Sequence, residues 1–296
     1  MKIIMKNIRF FWWLVKESVV MDYLTIRRCK AILRKGALKF IFIKYSVIVK
    51  HLVKPYAEGD GVLCDGDYIF YDSRFGVAGY QRILTTHSYL LDCFNITDIT
   101  TVVDVGANVG YFSLMCKKKY PGCCIYAFEP VPETYALLVK NFSRGEKIHS
   151  YQLALGLHAG KSHMHVDKVN KAESRISESG ELLVNTVTLD EYLQDICSDE
   201  GSGLVDLLKI DVETFEASVL RGGRGMIAQT RFLFLEATFA GNKNYTISSL
   251  MSNLVSEVYD FQIIGYRNFS RNYDGPVAAM EMLLVNVKLE NSFNEP

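Results

Sequence analysis

Thr101-Val102-Val103-Asp104-Val105-Gly106-Ala107-Asn108-Val109-Gly110, with Phe128-Glu129-Pro130 after it, reads as a strand, a glycine turn, a helix start and a second strand tipped with an acid. The β-branched run Thr101–Val103 leads into Asp104 and is bounded by a glycine-rich turn, the pattern of a buried parallel strand. A helix is predicted from about Val109 to Lys119. Such a unit marks a nucleotide-cofactor site at the carboxyl end of the first strand.

The glycines discriminate between cofactors. Dinucleotide folds use G-x-G-x-x-G so that backbone can approach a pyrophosphate at a helix N-terminus. This chain has G-x-x-x-G at Gly106 and Gly110, and no Lys or Arg between Thr101 and Met115 to balance an anion. A nicotinamide dinucleotide is therefore disfavoured. S-adenosylmethionine carries a sulfonium and an ammonium but no phosphate, so an acidic turn suits it. Glu129 lies about twenty residues past the turn, where a carboxylate conventionally accepts hydrogen bonds from the ribose hydroxyls.

The chain has 296 residues, 49% of them hydrophobic and 22% charged, enough for a full core. Its net charge of zero hides an asymmetry, because residues 1–54 hold thirteen Lys and Arg against two acids. This divides the chain into a basic N-terminal extension, 1–80, with helices and short strands, and a catalytic domain, 81–296. Trp12, Trp13, Phe10 and Phe11 among basic residues suit an amphipathic helix on an anionic membrane face or on a partner protein; helices capping the core with a solvated basic face are the alternative. Nothing in the extension resembles a nucleic-acid arm.

Lys16 and Glu17, then Lys39, Lys44 and Lys50, interrupt the apolar stretches before a span of about eighteen residues is reached. The start does not read as a signal peptide either. The expected location is the cytoplasm, with a peripheral membrane contact open through residues 1–54. The seven cysteines are odd in number and lack C-x-x-C spacing, which suggests neither zinc nor a disulfide framework.

Along the rest of the chain, Asp65-Gly66-Asp67 reads as a hairpin turn, and Ser88–Phe94 as a helix before the first core strand. Pro132 opens a helix to about Phe142. Ile148–Ala154 reads as a third strand, His163–Val166 as a hairpin arm, 167–181 as a mobile loop and Val184–Val187 as a strand. Asp190 stands as N-cap to a helix Tyr192–Ile196. Strands Val205–Ile210 and Phe232–Leu235 end at Asp211 and Glu236, and between them Phe215–Arg221 forms a helix stopped by Gly222-Gly223. A helix Tyr245–Val258 and strands Phe261–Ile264 and Met282–Val287 close the chain. This alternation predicts right-handed βαβ units in a doubly wound, mostly parallel sheet with helices on both faces.

Four strands thus end in a carboxylate, at Asp104, Glu129, Asp211 and Glu236, and ligands in open α/β sheets bind at that edge. Methylation of an alcohol needs a proton taken from a hydroxyl of negligible acidity and an in-line arrangement of donor and acceptor. Asp211 and Glu213 are placed to bind the cofactor ammonium, orient the hydroxyl or accept its proton. With Glu236 they are the candidate catalytic residues. The same three could hold Mg²⁺, the minority reading. His158, His163 and His165 read as hairpin surface residues.

With Asp104–Gly110, Phe128-Glu129-Pro130, Ala154-Leu155-Gly156, Thr188-Leu189-Asp190, Lys209-Ile210-Asp211-Val212-Glu213 and Leu235-Glu236 in this order, the chain resembles the FkbM family of S-adenosylmethionine-dependent methyltransferases over roughly residues 80–290. The resemblance implies a class I, Rossmann-like, seven-stranded sheet with a reversed last strand, and O-methylation of a sugar, glycan or polyketide hydroxyl. Asp104, Gly106, Asn108, Gly110 and Glu129 carry over as cofactor contacts. The family usually continues D-V-E-G, whereas this chain has Thr214. That departure leaves a second reading, a catalytically inactive methyltransferase-like module recruited to a membrane or partner through its basic N-terminus.

Overall fold

The computed structural model describes residues 61–64, 67–70, 94, 96–142, 147–167, 174–192, 203–238, 260–270 and 277–290. The expectations for residues 1–54, for the helix before residue 94, for most of Tyr192–Ile196 and for Tyr245–Val258 lie outside them. Strands β1 (Gly61–Cys64) and β2 (Asp67–Phe70) pair antiparallel with Cys64 opposite Asp67, the two-residue connection expected of Asp65-Gly66.

Strand β3 (Thr101–Val105) is buried along its whole length. Helix α1 (Tyr111–Lys119) follows, starting two residues later than Val109 because Gly110, at φ +91°, forms its N-cap. Lys117, Lys118 and Lys119 fill the last turn of α1, where cations offset the exposed carbonyl end of the helix. Strand β4 (Cys124–Phe128) is again wholly buried. Helix α2 (Pro132–Phe142) buries Thr134, Leu137, Leu138 and Phe142, spaced three and four apart on one face.

The expected third strand divides. Strand β5 (Ile148–Tyr151) joins the main sheet, whereas β6 (Ala154–Leu155) leaves it for a second, four-stranded sheet. That sheet takes in β7 (Gly160–His165), β8 (Arg175–Ile176), inside the expected loop, and β9 (Leu182–Val187), in the order β6-β9-β7-β8. Its apolar side, Met164, Val184 and Ala154, packs on Val131 just beyond Glu129.

A 3-10 turn, Leu189–Tyr192, precedes β10 (Val205–Ile210). Helix α3 (Glu216–Gly222) ends at the expected stop with Gly223 as its C-cap, and a second short helix, α4 (Arg224–Ala228), begins at once. Strand β11 (Thr230–Thr238) is longer than expected, so Glu236 stands inside it rather than after it. Strands β12 (Phe261–Ser270) and β13 (Val277–Asn286) complete a seven-stranded sheet ordered β12-β13-β11-β10-β3-β4-β5. Strand β13 is antiparallel to both neighbours, and the pairs β11-β10-β3-β4-β5 are all parallel.

Central strands of a parallel sheet are covered on both faces, which is why β3, β4 and β10 are mostly apolar, with Asp104, Asp206 and Lys209 as buried exceptions. One face buries Val103, Val105, Tyr126, Phe128, Leu208, Ile210 and Leu235 with Val219, Leu220 and Met226 of the α3–α4 side. The other buries Val102, Ile125, Leu207, Phe232 and Phe234 with Phe112 and Met115 of α1. At the amino ends of the strands, Asp206 accepts hydrogen bonds from Thr100 N (2.7 Å), Thr101 N (3.0 Å) and Arg231 (2.6 Å), clamping β3, β10 and β11 together. Burial disfavours the Arg231 charge, but its hydrogen bonds to Asp206 and Glu290 prevail and raise its pKa.

Candidate functional site

From β3 the chain crosses to β4 on one side and later returns to β10 on the other, so the sheet order reverses between β3 and β10. In doubly wound folds that reversal opens a crevice at the carboxyl edge. The turn 106–110 and the segment 211–216 form its two lips.

The turn is built from backbone contacts that admit few residues. Gly106 (φ +77°) and Ala107 both donate to the Phe128 carbonyl, at 3.1 and 2.9 Å, tying the turn to the end of β4. Asn108 takes the left-handed conformation (φ +53°) that its short polar side chain tolerates, and its Oδ1 accepts from Val109 N at 2.6 Å. Gly110 is required by packing: a Cβ there would lie 2.3 Å from the Phe142 ring and 2.7 Å from Leu138.

Glu129 is 6% exposed and joins both sides of this turn. Its Oε2 accepts the Asn108 N–H at 3.0 Å and its Oε1 the Val131 N–H at 2.9 Å. Each carboxylate oxygen has two lone pairs, so these bonds orient the group and still allow hydroxyl donors to approach.

Asp104 is placed otherwise than its motif suggests. Its carboxylate is fully buried beneath the turn, accepting Ser113 Oγ at 2.6 Å and Lys209 Nζ at 3.1 Å. Lys209, next to last in β10, also donates to the Gly106 carbonyl (2.9 Å) and lies 3.4 Å from Asp211 Oδ2. The turn lacks a cation in its own sequence, but the adjacent strand supplies one. A lone lysine within Val205–Ile210 was the available signal, since a buried ammonium requires a carboxylate partner.

The acids that remain share one face. Ile210 pairs with Val105 and Leu235, and Val105 with Phe128, so the next positions form a row, Glu129, Gly106, Asp211 and Glu236. Neighbours in it are separated by about 4.8 Å, the strand spacing. Glu236 stands opposite Glu281 of β13, which extends the row by a residue that sequence reading missed; Glu281 is 3% exposed. Two-residue periodicity puts the row on the face covered by Phe112, two positions beyond Asp104 and Lys209. The loop that follows Asp211 carries Glu213 (φ +50°) and Thr214 (φ +81°), and Thr214 N donates to the buried Glu216 at 3.0 Å.

Other motif residues hold the frame. A Cβ on Gly156 would lie 3.1 Å from the Phe215 ring, and one on Gly222 would lie 2.0 Å from the Gly156 carbonyl, so the Ala154-Leu155-Gly156 block is a seat for α3. Asp190 lies within the 3-10 turn Leu189–Tyr192, and its carboxylate accepts Gly225 N (3.1 Å) and Met226 N (2.9 Å) of α4. The cap of its own turn is Thr188, whose N–H donates to Glu191 at 2.6 Å, the returning half of a capping box. His163 faces the Gly180 carbonyl and His165 pairs with exposed Glu181. Hydrogen bonds to backbone N–H groups, its own and that of Val166, lower the Glu181 pKa. Cys116, Cys123 and Cys124 are buried free thiols, and burial drives the Cys116 pKa up. Among the described residues no group of three His, Cys, Asp or Glu is arranged to hold a metal ion, and no helix is long and apolar enough to cross a membrane.

A doubly wound sheet with a reversed strand between β11 and β12, and an acid-lined crevice at its switch point, defines a Rossmann-like methyltransferase domain of the class that uses S-adenosylmethionine. The family model described as the methyltransferase FkbM domain matches residues 104–267, more than half of the chain, and the protein belongs to that family. Methyltransferase sdnD of Sordaria araneosa is 33% identical over 175 residues, 48% of this chain and 67% of the relative. The 31-O-demethyl-FK506 methyltransferase FkbM of Streptomyces tacrolimicus is 28% identical, covering 48% of this chain and 66% of its own length. The 2-O-methyltransferase NoeI of Sinorhizobium fredii is 23% identical over 233 residues, 72% of this chain and 90% of the relative. The chain thus spans about two thirds of the length of the first two.

Proposed function

We propose that this protein transfers the methyl group of S-adenosylmethionine to a hydroxyl of a sugar, glycan or related hydroxylated metabolite. The observation that carries the reading is the row Glu129, Gly106, Asp211 and Glu236 along one face at the switch point. Two of the relatives, FkbM and NoeI, are named for methylation at oxygen, which supports the choice of a hydroxyl.

The donor set fits this cofactor. Lys209 lies between Asp104 and Asp211, one cation against two carboxylates, and with Glu213, Glu236 and Glu129 the crevice is acidic on balance, an environment for a cation and not for a pyrophosphate. S-adenosylmethionine, when bound, supplies an electrophilic methyl on a sulfonium. Glu129 receives the ribose hydroxyls, the Gly106–Gly110 turn contributes close backbone, and Asp104 acts through Lys209 by fixing the Gly106 carbonyl. Asp211 and Glu213 stand where methyl donor and acceptor meet, and with Glu236 they orient the acceptor hydroxyl and take its proton. We assign this machinery to residues 81–296 and a peripheral contact with anionic membrane to residues 1–54.

Calorimetry with S-adenosylmethionine and S-adenosylhomocysteine tests the cofactor, and absence of binding to the wild-type protein would overturn the assignment. Incubation with methyl-labelled cofactor and a panel of free hexoses and hexuronic acids tests the acceptor; label on nitrogen instead of oxygen would exclude hydroxyl methylation. Co-sedimentation with anionic vesicles tests the membrane contact, which should be salt-sensitive and lost on removing residues 1–54.

A further inference from the structure

We infer that Glu216 is a positioning residue for methyl transfer: it holds the Glu213–Thr214 turn in a left-handed conformation so that the Asp211 and Glu213 carboxylates face the transferring methyl. The inference rests on the methyl-transfer reading and concerns a residue outside its proposed contacts.

Two consecutive non-glycine residues, Glu213 (φ +50°) and Thr214 (φ +81°), occupy left-handed backbone at the lip of the crevice. A β-branched residue there is a genuine outlier, and such strain persists only where the surroundings over-determine it. The segment is anchored at both ends. Asp211 N donates to the Val105 carbonyl at 3.1 Å, and the Asp211 carbonyl abuts Gly106. At the far end the Phe215 ring packs where a Gly156 side chain would begin, and Glu216, fully buried, accepts Thr214 N at 3.0 Å.

That last bond is not an ordinary helix cap. Phe215 is the N-cap of α3 and Glu216 its first residue, so the carboxylate reaches backward out of the helix to a donor in the strained turn. In a capping box the glutamate lies three residues past the cap and returns to the cap's own N–H. Glu216 instead holds the residue before the cap, adjacent to Glu213. A hydrogen bond in a dry setting is costly to leave unmade and so selects one turn geometry.

The test needs no acceptor. Sinefungin, which places an amine where the cofactor carries its methyl, and S-adenosylhomocysteine, which places nothing there, are bound by calorimetry to the full chain. If the carboxylates face the methyl, the wild type prefers sinefungin, and Glu216→Ala reduces that preference by about tenfold while S-adenosylhomocysteine affinity stays within about threefold. Glu216→Gln, which keeps an acceptor oxygen, retains the preference. Thr214→Gly, which relieves the strain, restores it in the Glu216→Ala background. Equal loss for both ligands in Glu216→Ala, or a Glu216→Gln protein as impaired as Glu216→Ala, would show Glu216 to be merely structural and overturn the inference. Failure of the wild type to bind S-adenosylhomocysteine strikes instead at the cofactor assignment. Should Glu216→Ala not fold, Glu216→Gln and Thr214→Gly alone decide: loss of the preference in Glu216→Gln overturns the inference, and an undiminished preference in both supports it.

Discussion

Gly106 and Asp211 meet backbone to backbone across the gap between β3 and β10: a Cβ built on Gly106 would lie 1.9 Å from the Asp211 carbonyl oxygen. The two lips of the crevice are therefore in contact at its base, and the glycine is demanded by the opposite strand as well as by its φ of +77°.

Gly106→Ala is expected to destabilise the protein by at least about 2 kcal/mol, since overpacking against backbone adds to left-handed strain. Gly122→Ala is the control. Gly122 has φ +99° with nothing within 4 Å of an added Cβ, so only the strain, about 1 kcal/mol, applies. Chemical denaturation of both variants checks this; equal losses would remove the contact from the account.

Glu129→Ala should weaken S-adenosylmethionine binding by tenfold or more, about 1.4 kcal/mol, through loss of acceptors for the ribose. It should also cost about 1–3 kcal/mol of stability, because the Asn108 and Val131 N–H groups lose their partner. Glu129→Gln keeps acceptor oxygen and should fall between. Undiminished affinity in the alanine variant, measured by calorimetry, would dissociate Glu129 from the cofactor.

Lys209 and Asp104 form a buried ion pair, with side chains 4% and 0% exposed. Lys209→Met should cost about 3–5 kcal/mol because it leaves a carboxylate buried without its cation. The double variant Lys209→Met, Asp104→Asn should lose less than the sum of the singles. Additive losses in urea titrations would mean that the two groups are not coupled.

Thr214→Gly should stabilise the folded chain by about 1 kcal/mol, because glycine adopts φ +81° without the steric penalty that a β-branched residue carries. A lower denaturation midpoint would show that the threonine side chain contributes more than its strain costs.

Much of the frame was legible along the chain because it depends on local pattern. Mostly apolar, β-branched or aliphatic runs announced β3, β4 and β10, which are buried on both faces. Pro132 in a first turn announced α2. What failed depended on partners distant in sequence. Ile148–Ala154 has no internal break, yet Ala154 and Leu155 pair with Thr186 and Val187 in another sheet. Asp190 resembles a local cap, but the N–H groups it reaches belong to Gly225 and Met226. Gly222-Gly223 does end α3 as its composition predicts, and only the fold shows that the absent side chains also admit the Gly156 backbone and Leu189.

The amino-acid order alone determined the alternation of strands and helices, the glycine turn and the two-residue spacing that points acids to one side of each strand, since these follow from backbone stereochemistry and nearest neighbours. Only tertiary structure decided which acids are internal and which line the crevice. Asp104 and Asp211 look alike in sequence, each near the end of an apolar strand. The register of β3 with β10 sets Asp104 beside Lys209 and raises Asp211 one pleat higher, beside Gly106, because pairing across a sheet is chosen by the summed burial of whole strands and not by any residue within one.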